Sequence, residues 1–296
     1  MSSNESQITF RSGLFIPGNQ ARMLEKAFST TADAIVPDME DSVPDGEKIN
    51  ARELIRSFLP RLRATGRIVM PRVNALTTGL TGSELEAIVG PDIDAVSIGK
   101  ITSPSDISEL SQLIGRLEDT RGLERGKIKI VPWLETAAAI VHCYEICTAS
   151  KRLIAVAFGA EDLTNDLGVE RLEDETQILY ARSAVCIAAR AAGIPALDTP
   201  YFRFKDNDGL RVHSLESRSL GFKGRFAIHP GQTDTINECY SPSTAEIERA
   251  RRIVAAFEDA ERRGSASTSL DGLAVDVPVV QRARGVLALA KKLEIE

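Results

Sequence analysis

The 296-residue chain has no CxxC pair, no basic run and no glycine-rich GxGxxG turn. It also has no apolar run approaching the ~18–20 residues of a membrane span. Each absence excludes something. A net charge of −6 without a basic run argues against nucleic acid as the main partner, while leaving room for a local basic pocket that takes a phosphorylated ligand. The missing apolar run argues against a membrane partner. The opening residues, MSSNESQITFRS, carry nothing like the apolar centre of a signal peptide. Cysteine is scarce: Cys143, Cys147, Cys186 and Cys239 are the four. Cys143 and Cys147 lie one helical turn apart with His142 alongside, a spacing that could hold a metal. The amphipathic segment AAAIVHCYEIC instead favours buried thiols, and the expected compartment is the reducing cytoplasm.

The chain is 43% hydrophobic and 26% charged, values typical of a globular protein with a sizeable core. Short apolar or β-branched runs recur between segments with helical spacing. They are Gly13–Ile16, Asp33–Pro37, Arg67–Val73, Asp94–Gly99, Lys127–Trp133, Leu153–Phe158, Gly193–Asp198 and Arg225–Pro230. Strand alternating with helix predicts a parallel sheet. Eight such units in roughly 230 residues match a TIM (β/α)8 barrel. A doubly wound sheet would carry a glycine-rich phosphate turn after its first strand, and FIPGNQ is not one. The segment PSTAEIERARRIVAAFEDAERR reads as a helix capped by Ser243 or Thr244. GSASTS (Gly264–Ser269) then reads as a linker. Residues 1–263 are therefore assigned to the barrel, and 264–296 to a linker and a C-terminal helical extension long enough to reach a neighbouring subunit.

In a barrel, chemistry sits at the C-terminal strand ends. Those ends carry Asp38, Glu40 and Asp41 after the second strand, Arg72 at the third and Lys100 after the fourth. Glu135 follows the fifth, Glu161 and Asp162 the sixth and Asp198 the seventh, while His229 ends the eighth. One mouth thus gathers a ring of acids with two cations among them. Mutually repelling carboxylates make sense around a hard divalent cation, which needs one or two of them plus water and substrate oxygens. Glu135 and Asp162, from neighbouring strand ends, are the best-placed pair. Each residue also has an ordinary reading. Glu161 could cap a helix or pair with an arginine, the acids at 38–41 could begin a helix, and His229 could orient a turn.

The motifs RSGLFIPGNQARMLEKA, DAIVPDMEDSV, PRVN, LETA, AFGAEDLTNDLG, YARSAVCIAARAAGIPALD and LGFKGRFAIHP resemble the CitE-like branch of the HpcH/HpaI aldolase and citrate lyase family. LDGLAVDVPVVQRAR resembles that branch's C-terminal lid. The resemblance implies a TIM barrel, Mg²⁺ and reversible carbon–carbon cleavage of β-hydroxyacyl thioesters, with acyl-CoA and 2-oxo acid ligands. It implies Glu135 and Asp162 as metal ligands and Arg72 as a substrate-binding and catalytic residue. Glu40 and Asp41 are implied to order water or the arginine. Asp276 is implied as an acid delivered from a neighbouring subunit of a homotrimer or hexamer. Lys100 is a substrate-binding candidate, and Arg11, Arg22 and Lys26 are candidates for the CoA phosphates. Related reactions on the same barrel, thioester hydrolysis, cleavage of free hydroxy-keto acids or action on a carrier-bound thioester, fit the same residues. The sequence departs from the family in PDMEDS, where Pro37 is expected to end the strand early, and in IGK, ETAAAIV and GNQA.

Overall fold

The computed structural model of the protein describes residues 10–172 and 174–295. Its strands are short, apolar and wholly parallel within the main sheet, so each must return through a helix. They are β1 (Ser12–Pro17), β2 (Ala34–Asp38), β3 in two halves (Ile68–Val69 and Arg72–Val73) and β4 (Ala95–Ile98). β5 (Lys129–Leu134), β6 (Val156–Phe158), β7 (Ala196–Asp198) and β8 (Gly224–Ala227) complete the set. β1 pairs with β2 on one side and β8 on the other, so the sheet closes into the expected TIM barrel. Pro71, which has no N–H to give, divides β3; the β2–β3 ladder resumes at the Asp38–Arg72 pair.

Pro37 does not end β2, contrary to expectation. It pairs with Ile16, and the strand continues to Asp38 opposite Pro17. A proline forfeits one ladder donor but keeps its carbonyl, and the Asp38 carbonyl still accepts from Gly18 N at 2.8 Å. This places the Asp38 carboxylate on the barrel itself and not in a loop. The barrel is filled by large and small side chains in alternation, with Phe10, Trp133 and Phe226 among Ala34, Ala95, Ala155 and Ala157. Trp133 and Phe226 have ring centroids 4.6 Å apart, and Phe15 lies 5.3 Å from Phe226. The Trp133 indole N–H donates to Ser97 Oγ at 2.9 Å, which satisfies its one polar atom.

The chain divides after Asn237, and a second compact unit begins at Glu238. The helix Thr244–Arg262 belongs to that unit and not to the barrel, because Phe257 on it packs with Val275 and Val280. Ser243 caps this helix, accepting from Glu246 N at 3.2 Å while the Glu246 carboxylate accepts from Ser243 N at 2.8 Å. The expected linker Gly264–Ser269 is partly strand. Thr268–Leu270 (β9) pairs with Leu273–Val275 (β10) across Asp271 and Gly272, at φ +52° and +77°. A two-residue Asp-Gly turn of this kind makes a tight hairpin. The helix Val277–Lys292 follows.

All four cysteines are free and buried, with burial raising the Cys143 and Cys147 thiols to about 11 and about 12. Among the described residues no helix is long and apolar enough to cross a membrane. Phe226 is fully buried at the centre of the aromatic layer. Phe226→Ala is expected to cost about 3–5 kcal/mol of stability. The check is the urea midpoint at unchanged slope, and a loss below about 1 kcal/mol would mean that the layer closes over the gap.

Candidate active site

Register between β2 and β3 sets Asp38 beside Arg72. The guanidinium donates from Nε to Asp38 Oδ1 and from Nη2 to Oδ2, each at 2.7 Å, in a planar two-point grip. Its Nη1 lies 2.9 Å from Glu40 Oε2 and 3.2 Å from Asp41 Oδ2. The guanidinium carbon stands 4.5 Å from the Phe15 ring centre, so the aromatic core is the surface on which the cation rests. Asp38 also accepts from Glu40 N at 2.9 Å and from Ser42 Oγ at 2.5 Å. Burial works to raise the Asp38 carboxyl, but the charge and hydrogen bonds of Arg72 outweigh it and hold it below the ordinary value.

The segment after β2 is gripped by side chains that the sequence reading passed over. Lys48 Nζ donates to the carbonyls of Met39 (2.9 Å) and Glu40 (2.7 Å) and to Asn74 Oδ1 (2.9 Å). Asn74 Nδ2 donates to Met39 O at 2.8 Å, and Glu84 Oε2 accepts from Asn74 N at 2.8 Å. Nothing in the spacing of Lys48 or Glu84 advertised this role.

Glu135 follows β5, and Asp162 stands in the first turn of the helix Ala160–Leu167 after β6. Two glycines make room for Glu135. A Cβ at Gly159 would sit 2.2 Å from Glu135 Oε2. One at Gly99 would sit 2.7 Å from Glu135 Oε1 and 2.9 Å from Glu40 Oε1, so these two carboxylates meet over Gly99. A glycine just past each strand end was the available signal. Lys100 takes a left-handed conformation at φ +55°, a strain that a non-glycine residue accepts at functional sites. Its N–H thereby donates to Glu135 Oε1 at 2.7 Å. Its Nζ lies 3.2 Å from both Glu40 Oε1 and Asp41 Oδ1. Asp166 Oδ2 accepts from Ala137 N at 2.7 Å and so joins the segment after Glu135 to the helix bearing Asp162.

Burial, then the charges of Asp162 and Glu40, raise Glu135 to about 8. Burial also leads in raising Glu40 to about 7, with Arg72 and Lys100 pulling the other way. Arg72 and Lys100 reach the buried Glu40 carboxylate as ion pairs, at 2.9 and 3.2 Å. Asp162 is raised by burial and by Asp41. Among the described residues no three His, Cys, Asp or Glu side chains could hold a metal ion by themselves. An oxygen-only pair of mutually repelling carboxylates therefore fits Mg²⁺, which leaves positions for water and substrate oxygens, and does not fit a closed structural site.

Other expected members fall outside this cluster. Arg11 precedes β1 and is bound by Asp33, which precedes β2: its Nε and Nη2 donate to that carboxylate at 2.9 and 2.7 Å. Strand N-termini lie at the end of the barrel opposite the mouth, so Arg11 cannot serve a ligand there. Arg22 and Lys26 are exposed on the helix Ala21–Lys26 that follows β1. Asp198 leaves the ring: it is fully buried and pairs with Arg182 at 2.7 Å and Arg225 at 2.5 Å. Glu161 pairs with Arg171 at 2.8 Å, the arginine reading of its two. His229 accepts from Gly231 N at 3.1 Å through Nδ1, orienting the turn after β8. Asp276, in the C-terminal unit, caps the helix Val277–Lys292 by accepting from Val279 N at 3.2 Å.

Two outcomes follow from the carboxylate pair. Glu135 is raised from 4.5 to about 8, so across that pH window the folded metal-free protein keeps a proton that the unfolded chain gives up. Stability then falls as pH rises through the window. Urea midpoints of wild type should decline over this range, and Glu135→Gln should flatten the decline; a wild-type midpoint that rises would refute the assignment. Gly159→Ala, by displacing Glu135, should weaken Mg²⁺ binding by about tenfold or more, read by calorimetry, with the far-UV spectrum unchanged.

The HpcH/HpaI aldolase/citrate lyase family matches residues 11–230. The citrate lyase subunit beta of Escherichia coli K12 is 39% identical over 285 residues, covering 96% of this chain and 94% of its own. A (3S)-malyl-CoA thioesterase of Cereibacter sphaeroides is 38% identical over 285 residues, with 96% and 95% covered. Among solved structures, CitE of Mycobacterium tuberculosis, in complex with magnesium, acetoacetate and coenzyme A, is similar at TM-score 0.80 and 28% identity. That match covers 96% of this chain and 99% of the other. The closed barrel, the site at its mouth and these matches agree: the chain belongs to the HpcH/HpaI aldolase/citrate lyase family.

Proposed function

We propose that the protein is a Mg²⁺-dependent carbon–carbon lyase that reversibly cleaves a β-hydroxyacyl-CoA thioester, of the malyl or citramalyl type, to acetyl-CoA and a 2-oxo acid. The observation that carries this reading is the convergence of Glu135 with Asp162 beside a cation, Arg72, whose orientation Asp38 fixes. The magnesium, acetoacetate and coenzyme A in the complex of the Mycobacterium tuberculosis relative support the metal and the thioester handle.

Glu135 and Asp162 would hold Mg²⁺, which when bound supplies Lewis-acid polarisation and a template for substrate oxygens. In the cleavage the substrate hydroxyl gives its proton to solvent at the mouth, its O–H electron pair forms the new carbonyl, and the bond between the carbinol and α carbons breaks with its pair passing into the thioester. A 2-oxo acid and a thioester enolate result. Arg72 faces the developing enolate oxygen or a substrate carboxylate with a charge that needs no reorganisation, a contribution of about 3–4 kcal/mol in the transition state. Glu40, buried and raised to about 7, holds a proton near neutrality and, with Asp41, keeps Arg72 and nearby water in place. Lys100 contributes a second cation beside Glu40. Arg22 and Lys26 are the remaining candidates for CoA phosphates. In a homotrimer or hexamer, Asp276 from a neighbouring subunit's C-terminal extension would return a proton to the α carbon. The four free, buried thiols support a cytoplasmic setting.

A second reading, thioester hydrolysis, is favoured by the 38% identity to the Cereibacter enzyme. One assay separates the two. Purified protein is given malyl-CoA and citramalyl-CoA with Mg²⁺ or with EDTA, and products are resolved by mass. Acetyl-CoA with a keto acid, lost in EDTA, is the expected result; free CoA without chain cleavage would establish the hydrolase. Activity confined to carrier-protein thioesters would point to a subunit role like that named in the Escherichia coli relative. Arg72→Lys should lower kcat by about 100-fold or more, because an ammonium cannot reproduce the planar grip on Asp38. Near-normal turnover would remove the assigned role.

A further inference from the structure

Asp162 stands in the first turn of an eight-residue helix that starts directly after β6, behind Gly159, which has no side chain with which to cap it. So short a helix has little stiffness of its own. The acid also stands among others: Asp41 and Glu161 repel it, and it repels Glu135 in turn. Like charges push apart, so the position of Asp162 has to be enforced from outside the pair. Two ties to the helix are single hydrogen bonds. Ala160 N donates at 3.3 Å to the hydroxyl of Thr199, the residue after β7, and Asp166 accepts from Ala137 N at 2.7 Å. The third tie is a row of alternating charges.

The row begins at Glu161, whose Oε1 accepts from Arg171 Nη1 at 2.8 Å. Arg171 gives its other amino group, Nη2, to Glu175 Oε1. Glu175 Oε2 accepts from Arg182 Nη1 at 2.7 Å, and Arg182 Nη2 donates to Asp198 Oδ2 at 2.7 Å. Arg225 Nη2 donates to the same Asp198 oxygen at 2.5 Å. The row thus runs from the residue beside Asp162, whose side chain is 51% exposed, to the wholly buried end of β7. Glu175 reaches both of its arginines from φ +50°, a strained backbone for a residue with a side chain. Glu175, Arg182 and Asp198 are all buried, so none can shift without leaving a buried charge unpaired. A surface ion pair by itself would hold Glu161 only loosely. Here the planar fork of Arg171 has its far prong fixed on Glu175, and the near prong is fixed with it.

We infer that Arg171 is a positioning residue for Asp162: anchored on the buried Glu175–Arg182–Asp198 row, it holds the Glu161 side chain and with it the turn that carries the metal carboxylate. This rests on the proposal that Asp162 holds Mg²⁺. The test is calorimetric Mg²⁺ titration of the full chain, with urea midpoints measured alongside, for wild type, Arg171→Ala, Glu161→Gln and Glu161→Ala. Charge alone and positioning predict opposite signs for Arg171→Ala. Removing a cation beside an acidic site tightens Mg²⁺ binding by Coulomb attraction, whereas losing the tie weakens it; weakening by about tenfold is expected. The two Glu161 variants remove the same charge, but an amide oxygen still accepts from Arg171 and a methyl group does not. Glu161→Ala should therefore bind Mg²⁺ more weakly than Glu161→Gln, by about threefold or more. This exposed position reads the same tie if Arg171→Ala does not fold. Equal or tighter Mg²⁺ binding by a folded Arg171→Ala, or equal binding by the two Glu161 variants, overturns the inference while the metal site stands. A lowered urea midpoint with unchanged Mg²⁺ affinity would make the row purely structural and overturn it as well. No Mg²⁺ binding by wild type would overturn both the inference and the metal assignment.

Discussion

The Arg72–Asp38 pair is the constraint from which the rest of the mouth follows. It joins two adjacent strands at their ends, lies over Phe15 and therefore over the aromatic filling of the barrel, and uses both Asp38 oxygens. Because Asp38 engages two of the guanidinium's three nitrogens, the third, Nη1, is aimed at Glu40 and Asp41. A cation in this position cannot wander to neutralise every acid nearby. The acids consequently divide by environment. Asp38 is held ionised, while Glu40 and Glu135 are pushed up towards neutrality. Carboxylates that differ in this way within one cluster can hold different roles at one pH.

Much of this was readable in the sequence, for a physical reason. Apolar runs alternating with helical spacing specify strand and helix, and parallel strands specify where their ends lie, so Arg72, Glu135 and Asp162 could be collected at one mouth before any coordinates. The third strand shows the limit: Pro71 splits it, and periodicity does not register a break of two residues. Asp198 shows another. It stands at a strand end like the others, but Arg182 and Arg225, which bury it, lie on the preceding helix and the following strand and leave no local signature. Arg11 lies beside a strand but at its wrong end, where Asp33 holds it. The Asp271–Gly272 turn was legible in principle, but polar residues around it read equally well as linker.

Gly99 and Gly159 show why side-chain inventory alone misses part of an active site. Neither offers a functional group, yet each leaves the volume into which a buried carboxylate fits. A methyl group at either position would meet the carboxylate and force it to move, since the surrounding strands are closed and cannot spread. The cluster is thus defined as much by absent Cβ atoms as by present oxygens. Lys100 adds the complementary device: its left-handed backbone turns an N–H onto Glu135 while its side chain reaches Glu40 and Asp41. One residue thereby ties three acids from the ends of two strands.

The same closure that crowds these acids leaves other strand ends outside the cluster. Eight strands offer eight ends, and a small reacting group with one divalent ion can engage only a few of them. Asp198 is drawn into buried pairs with Arg182 and Arg225 and so leaves the ring of acids at the mouth. Arg22 and Lys26 stand exposed on the helix after β1, apart from that ring. Asp198 thus stands at a strand end like the other acids but does its work inside the fold, holding a helix and a strand together through Arg182 and Arg225.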